Sequence, residues 1–383
     1  MSLTIAVDEL RSYVRQFAND RIDPDYLRVC ERNKEFPKDT WQAMSEAELH
    51  GIAIPEEYGG HGGGVMEQTV VVEELARVMG GMVTMWSINT HSAITLQLHG
   101  TDEQKQTYLP KMARGEHRIG LSFTEPDGGT DLLGALKTRA EKVDGGYVIT
   151  GSKTYTTMVD DVDQLLVLAR TSPSEKKTQG LTVFLVPADA EGITATRLDT
   201  LGQAAIGTFL VHYDGVFVPD EAVIGVPDEG WRYLASSAIN HERIIIAALC
   251  VGAMTGVIER TVSYAKEREA FGSPIGKFQA VQHHIANMEI ERQAARLLTY
   301  RAADLAIAGE DFMLEASVAK AFASEACSRA ADLGIQVLGG AGYCSEYHIE
   351  RIWRDTRIMR IGPITNEMVR NYVAESLGLP RSF

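Results

Sequence analysis

Apolar residues recur at three- and four-residue spacing along "DELRSYVRQFANDRI", "GVMEQTVVVEELARVM" and "TDEQKQTYLPKMARG", so residues 1 to about 118 read as helices. Thr101 and Asp102 stand where a helix N-terminus needs an oxygen acceptor, and Gly and Pro punctuate the segments, as in "IPEEYGGHGGG". From about 119 to 225 the period changes to two. "GYVITGSKTYTTM", "QLLVLART", "GLTVFLVPA" and "GTFLVHYDGVFVP" are short β-branched and aromatic runs divided by Gly, Asp and Pro, the pattern of a compact antiparallel sheet or barrel.

After Pro227 the helical spacing returns and holds to the end. Glu242 to Lys266 contains no proline and predicts a helix of roughly 37 Å at 1.5 Å per residue. Its stretch Ile244 to Met254 is apolar on every face, which requires neighbours on all sides. Two more long helices are expected over about Gln279 to Ala308 and Phe312 to Leu338. Helices, then strands, then helices define an α+β chain of three domains, 1–118, 119–227 and 228–383. Because the order does not alternate strand with helix, a Rossmann domain is disfavoured.

Composition narrows the function. The chain has 383 residues, with 37 basic against 52 acidic side chains and a net charge of -15. That balance argues against a nucleic acid or an anionic membrane as partner. Cys30, Cys250, Cys327 and Cys344 are scattered without ligand spacing, so neither a disulfide framework nor a zinc site is indicated, and reduced thiols in a cytoplasmic protein are expected. No uncharged run reaches the ~18 residues of a membrane span, and the N-terminus lacks a signal-peptide pattern.

Several tempting motifs fail their context. "LGGAGYCSE" follows a helix rather than a strand, so a glycine-capped turn after Leu338 is the better reading than a dinucleotide finger. His283 and His284 are adjacent on a helix and point in different directions, which disfavours metal binding. H-E-x-x-H, G-x-S-x-G and P-loop patterns are all missing from the sequence. What stands out is "NHERIIIAALCVG", with Glu242 and Arg243 at the front of an apolar run. An acid in the first turn of a helix is ordinary, since it meets unpaired N–H groups and the positive end of the dipole.

Six segments in order carry a resemblance: "IPEEYGG" (54–60), "LSFTEPDGGTDLLGALKTRA" (121–140), "GYVITGSKTYTT" (146–157), "AKEREAFGSPIGKFQ" (265–279), "IQVLGGAGYCSE" (335–346) and "RIWRDTRIMRI" (351–361). Together they resemble the acyl-CoA dehydrogenase family over essentially the whole chain. The resemblance implies an N-terminal helical domain, a middle β-barrel or sandwich, a C-terminal four-helix bundle, bound FAD, a CoA thioester substrate, an electron-transfer flavoprotein as partner, and a homo-oligomer, usually a tetramer. In that chemistry a carboxylate removes the α-proton of the thioester while the β-hydrogen leaves as hydride to the flavin.

By position, the resemblance puts Thr124 at the flavin pyrimidine edge and Thr130 at the pyrophosphate, with Tyr155 packed beside the ring system where the family usually has Trp. Thr157 falls near the flavin N5. As strand residues, Tyr155 and Thr157 are expected to share a face. Arg268, Phe271 and Gln336 match positions that reach the cofactor of a neighbouring subunit, Gly340 matches a cofactor-binding position, and Thr365 and Glu367 match positions near the adenosine part of the cofactor. The chain departs from the family at its usual C-terminal base: after "RDTRI", Gly362 takes the Tyr place and Pro363 the Glu place. Isovaleryl- and long-chain members also lack that glutamate, and use one beside an arginine at the start of the long bundle helix. Glu242 falls there, which implies that it is the base; Arg243 is then a structural or CoA-side charge, with Gly362 and Pro363 near the thioester. The C-terminal region also resembles crotonobetainyl-CoA reductase, so a reductase direction is an alternative, as is a flavin oxidase or monooxygenase on the same fold. No metal is expected.

Overall fold

The structure is a computed structural model that describes residues 3–236 and 240–381. Six helices come first: α1 (Leu3–Arg21), α2 (Pro24–Asn33), α3 (Lys38–Glu46), α4 (Val65–Met79), α5 (Thr84–His99) and α6 (Asp102–Ala113). Thr101 caps α6 as its sequence suggests. Its hydroxyl accepts the Gln104 N–H at 3.2 Å while the Gln104 side chain accepts the Thr101 N–H at 2.9 Å.

The middle of the chain forms one sheet from β1 (Ile119–Ser122), β2 (Arg139–Val143), β3 (Gly146–Thr157), β4 (Gln164–Arg170), β5 (Leu181–Pro187), β6 (Ile193–Arg197), β7 (Thr208–Pro219) and β8 (Val223–Ile224). The strand order is β6-β7-β3-β2-β4-β5-β8, with β1 beside β4. The purely antiparallel expectation is corrected here, because β1 runs parallel to β4 with Ile119 opposite Gln164. The cause is local: the Asp163 N–H donates to the Arg118 carbonyl at 2.9 Å and the Asp163 carboxylate accepts the Arg118 N–H at 2.8 Å, which aligns the two strand starts. The interiors of β4 and β5 are buried on both faces, which is why they read as continuous apolar runs.

The C-terminal part contains α7 (Gly230–Leu234), α8 (Asn240–Glu267), the hairpin β9 (Glu269–Ala270) and β10 (Ser273–Pro274), then α9 (Gln279–Ile307), α10 (Met313–Leu338), α11 (Ile349–Thr356) and α12 (Asn366–Ser376). α8 packs against α9 and α10, and α4 of the N-terminal part covers its remaining side. The approach of α4 is very close. A Cβ on Gly252 would lie 2.0 Å from the Glu73 carbonyl oxygen, and one on Gly256 2.0 Å from that of Arg77. Ile244 to Met254 are accordingly enclosed, each side chain 7% exposed or less. Of the expected four-helix bundle, three helices are long and the fourth, α12, has 11 residues and docks on α10. Among the described residues α8 is the one helix long and apolar enough to cross a membrane, and most of it lies inside the protein.

One polar node joins the three parts. The Glu31 carboxylate of α2 accepts the N–H groups of Ala204 and Ala205 at 3.1 and 2.9 Å and pairs with Arg354 of α11 at 3.1 Å. Asp355 accepts the Gln203 N–H at 2.7 Å. The sheet and the bundle are thereby fixed relative to each other.

Candidate active site

Two loops of the sheet build a platform. Glu125 turns inward and accepts the N–H groups of Lys137 and Thr138 at 2.6 and 2.9 Å, together with the Lys153 ammonium at 2.9 Å. Lys153, fully buried on β3, also donates to the Phe123 carbonyl at 2.9 Å. Burial opposes the charge on Glu125, but Lys153 and the N–H groups outweigh it and hold the carboxyl below its ordinary range. Burial brings the Lys153 ammonium down to about 8 against the pull of Glu125. Sequence reasoning passed over both residues. The available signal was a lysine on a strand residue that alternation turns inward.

On this platform the Thr154 N–H donates to the Thr124 carbonyl at 2.8 Å, and the Ser122 and Thr156 hydroxyls lie 3.1 Å apart. The segments holding Thr124, Tyr155 and Thr157 are therefore side by side. The reason given for Tyr155 and Thr157 sharing a face needs correction, because regular alternation stops between Lys153 and Thr156, where β3 has one more residue than β7, and Tyr155 sits at φ 58°. Both nevertheless flank buried Thr156 and are accessible, Tyr155 being 64% exposed.

The chemistry of these groups fits a flavin. The side-chain hydroxyls of Thr124, Thr130 and Thr157 make no hydrogen bond with any described residue, and all three residues are accessible. The Tyr155 ring is exposed and offers an aromatic face to a planar ligand. Arg268, Phe271, Gln336 and Gly340 are exposed, and among the described residues no hydrogen bond or ion pair joins them to these groups; Phe271 is 97% exposed at the tip of the β9–β10 hairpin. Such placement suits groups that act on another subunit. Gly340 has open space around it, so a Cβ there would meet nothing within 4 Å. Thr365 is committed to capping α12, its hydroxyl accepting the Met368 N–H at 3.2 Å, and Glu367 is exposed in the first turn of that helix.

Glu242 lies in the first turn of α8; Ile239, just before the helix, lies outside the described residues. A carboxylate serving only as a cap would accept a helix N–H. Glu242 accepts no hydrogen bond from any described residue, although it keeps some accessible surface. Burial pushes its carboxyl up to about 8, against the opposing pull of Lys320 and Arg243. It is a carboxyl with free lone pairs and raised basicity.

Of the two readings of Arg243, structural or CoA-side, its contacts favour the structural one. Arg243 is 7% exposed, donates to the Ser317 hydroxyl at 3.0 Å and lies 5.4 Å from the Tyr372 ring centre, so it fastens α8 to α10 and α12. Gly362 and Pro363 form an open turn after α11, joined by a cis peptide bond. A Cβ on Gly362 would make only ordinary contact with Ile358.

Lys320 of α10 is the residue that the sequence reading missed. Fully buried, it donates to the Ile364 carbonyl at 2.6 Å and to the Asn366 side-chain oxygen at 2.8 Å. Asn366 in turn donates to the Ser324 hydroxyl at 3.0 Å. The sequence signal was slight: the positions that share a helix face with Lys320, namely Ala316, Ser317, Ala323, Ser324 and Cys327, are all small. Among the described residues no His, Cys, Asp and Glu cluster could hold a metal ion.

Comparison with known proteins agrees with the fold. Residues 6–116, 120–216 and 228–378 match the family models for the N-terminal, middle and C-terminal domains of acyl-CoA dehydrogenase. The chain is 35% identical to mitochondrial isovaleryl-CoA dehydrogenase of Oryza sativa subsp. japonica over 374 residues, 97% of this chain and 90% of that protein. It is 34% identical to an acyl-CoA dehydrogenase of Bacillus subtilis (strain 168), covering 96% of this chain and 97% of the other. The solved structure of butyryl-CoA dehydrogenase from Megasphaera elsdenii superposes with a TM-score of 0.91 at 28% identity, covering 99% of this chain and 100% of that one.

Proposed function

The chain belongs to the acyl-CoA dehydrogenase family of FAD-dependent oxidoreductases, and on that premise we propose that it oxidises a saturated acyl-CoA thioester to the trans-2-enoyl product with Glu242 as the base. The observation that carries this reading is the Glu242 carboxyl: semi-enclosed, without a hydrogen bond from any described residue, and raised to about 8. An unpaired carboxylate in a desolvated place is a stronger base than one in water, and a base is most effective when its pKa lies near the working pH. FAD, when bound, supplies the acceptor for the β-hydrogen.

In this reading the unpaired hydroxyls of Thr124, Thr130 and Thr157 and the ring of Tyr155 hold the cofactor within the subunit. Arg268, Phe271 and Gln336 reach toward a neighbour's cofactor, Gly340 borders the cofactor, and Thr365 and Glu367 lie near the adenosine part. Glu125 and Lys153 keep the platform rigid from beneath. Gly362 and Pro363 border the thioester and leave the acyl side open. Ile290 and Leu297, seven residues apart on α9 and 66% and 73% exposed, support assembly into an oligomer, which we take to be a tetramer. An electron-transfer flavoprotein then removes the electrons. The unpaired cysteines support a reducing, cytoplasmic setting.

Anaerobic titration with a panel of saturated acyl-CoA thioesters tests the proposal, with bleaching of the flavin as the readout. Bleaching by at least one thioester in the parent protein, and none in Glu242→Gln, is expected. Equal bleaching in the variant would show that another group is the base.

A further inference from the structure

Lys320 has no place in the mechanism so far, yet it is a fully buried ammonium with few polar neighbours. Burying a cation costs several kcal/mol unless partners compensate for the lost water. Its hydrogen-bond partners are both in the segment leading into α12: the Ile364 carbonyl at 2.6 Å and the Asn366 side chain at 2.8 Å. The charged and titratable groups that act on it are Cys250, Glu242 and Arg243 of α8 and Glu367 of α12. Those acting on Glu242 are Lys320 and Arg243. Elsewhere around α8, Glu73 of α4 is engaged with Arg11, Arg296 and Tyr300, and Cys327 of α10 with Cys250.

The segment held by Lys320 has a second property. The backbone N–H groups of Ile364 and Thr365 donate to no described residue. The Ile364–Thr365 peptide is trans, so fastening its carbonyl to Lys320 turns the Thr365 N–H the opposite way. Removing a proton α to a thioester breaks the C–H bond, sends its electron pair into the enolate and places negative charge on the carbonyl oxygen, while the proton passes to the carboxylate. Preorganised N–H donors aimed at such an oxygen lower the barrier. Pro363 has no N–H to give, which leaves its two successors as the available backbone donors of the turn.

We propose that Lys320 is a positioning residue for proton abstraction: its two hydrogen bonds fasten the Gly362–Asn366 turn with the N–H groups of Ile364 and Thr365 free, and its amine is buried within electrostatic reach of the Glu242 carboxyl. The proposal rests on Glu242 being the base. Burial brings the Lys320 amine down to about 8, so below that pH it is a cation whose field favours the ionised form of Glu242, and it keeps the base usable at lower pH than burial alone would allow. The same amine ties the turn to α10, so base and turn keep a constant spacing.

The test is flavin bleaching by a saturated acyl-CoA from pH 6 to 9.5 in the FAD-loaded parent, Lys320→Met, Lys320→Arg and Glu242→Gln. The parent rate falls on the acid side. Lys320→Met retains FAD, moves that acid limb upward by about one pH unit or more, and lowers the plateau by about tenfold or more as the turn loosens. Lys320→Arg keeps the cation, so its limb stays with the parent while its plateau falls. Should Lys320→Met lose FAD, Lys320→Gln replaces it, since its amide can still donate to the Ile364 carbonyl. An unmoved limb in the neutral variants overturns the proposal, as does a parent profile flat across the range, or loss of FAD from both neutral variants, which would mark Lys320 as only structural. Bleaching by Glu242→Gln overturns the base assignment itself and the proposal with it; an inactive Glu242→Gln beside an unmoved Lys320→Met limb overturns the role of Lys320 alone.

Discussion

A carboxyl raised by burial has a cost that appears as stability, and Glu242 makes it measurable. In the unfolded chain the group titrates near 4.5, and in the folded protein near 8. The folded state therefore holds the proton more tightly. The stability linked to this group is fully present below pH 4.5 and is lost as the pH rises through 8. Between pH 5 and pH 8.5 those two values correspond to a loss of about 4 kcal/mol. With an unfolding entropy of ~2.1 cal/mol/K per residue, 383 residues give ~0.8 kcal/mol/K, so the loss is about 5 °C in Tm. Glu242→Gln cannot ionise and escapes it. Thermal unfolding of the FAD-loaded parent and variant, followed by release of flavin fluorescence at both pH values, should show a Tm gap that favours the variant and widens by about 5 °C at the higher pH. Comparing the proteins at each pH removes contributions common to both. A gap that stays constant would mean that the carboxyl is solvated in the folded protein, and the argument for its basicity would fail.

Other groups give independent checks. Lys153→Met leaves the Glu125 carboxylate buried without its counterion and should destabilise by about 3 to 5 kcal/mol; the double variant Lys153→Met/Glu125→Gln should recover part of that in urea unfolding, and equal losses would deny the pairing. Gly252→Ala would normally favour a helix, but its Cβ meets the Glu73 carbonyl at 2.0 Å, so a loss of about 1 to 3 kcal/mol is expected where an exposed helical site would gain. Buried His50 and His91 titrate near 4 instead of 6.5, burial being the main cause. Their contribution is present above pH 6.5 and lost as the pH falls toward 4, at most about 3 kcal/mol each. His50→Gln should flatten the acid side of a Tm profile, and an unchanged slope would contradict the assignment.

The helices were legible because burial imposes a period on them. The Gln279–Ile307 and Met313–Leu338 helices depart by a residue at most from the ranges that spacing predicts. α8 was legible in another way, since an apolar run without a polar face states how many neighbours it needs, though not which. That α4 is one of them follows from Gly252 and Gly256, whose missing side chains admit the α4 backbone. The direction of β1 was not legible. It is decided by hydrogen bonds between Arg118 and Asp163, 45 residues apart, and strand periodicity carries no information about direction.

Glu242 and Lys320 differ in how visible they are, although each acts on the other. Glu242 stands out because an acid before three isoleucines breaks a local pattern. Lys320 sits in "EASVAKAFASEAC", where a lysine at a helical position suggests a solvated stem on any ordinary surface. Only the fold shows that this face of α10 is turned inward and that the Ile364 carbonyl is there to receive the amine. The departure at Gly362–Pro363 belongs to the same arrangement. Proline removes an N–H from the turn, the proposed base lies on another helix, and the buried Lys320 amine bonds to the residue that follows the proline. A chain that had merely lost its C-terminal glutamate would not need a buried cation holding that turn. The bond from Lys320 to Ile364 makes sense if the turn still has work to do at the thioester.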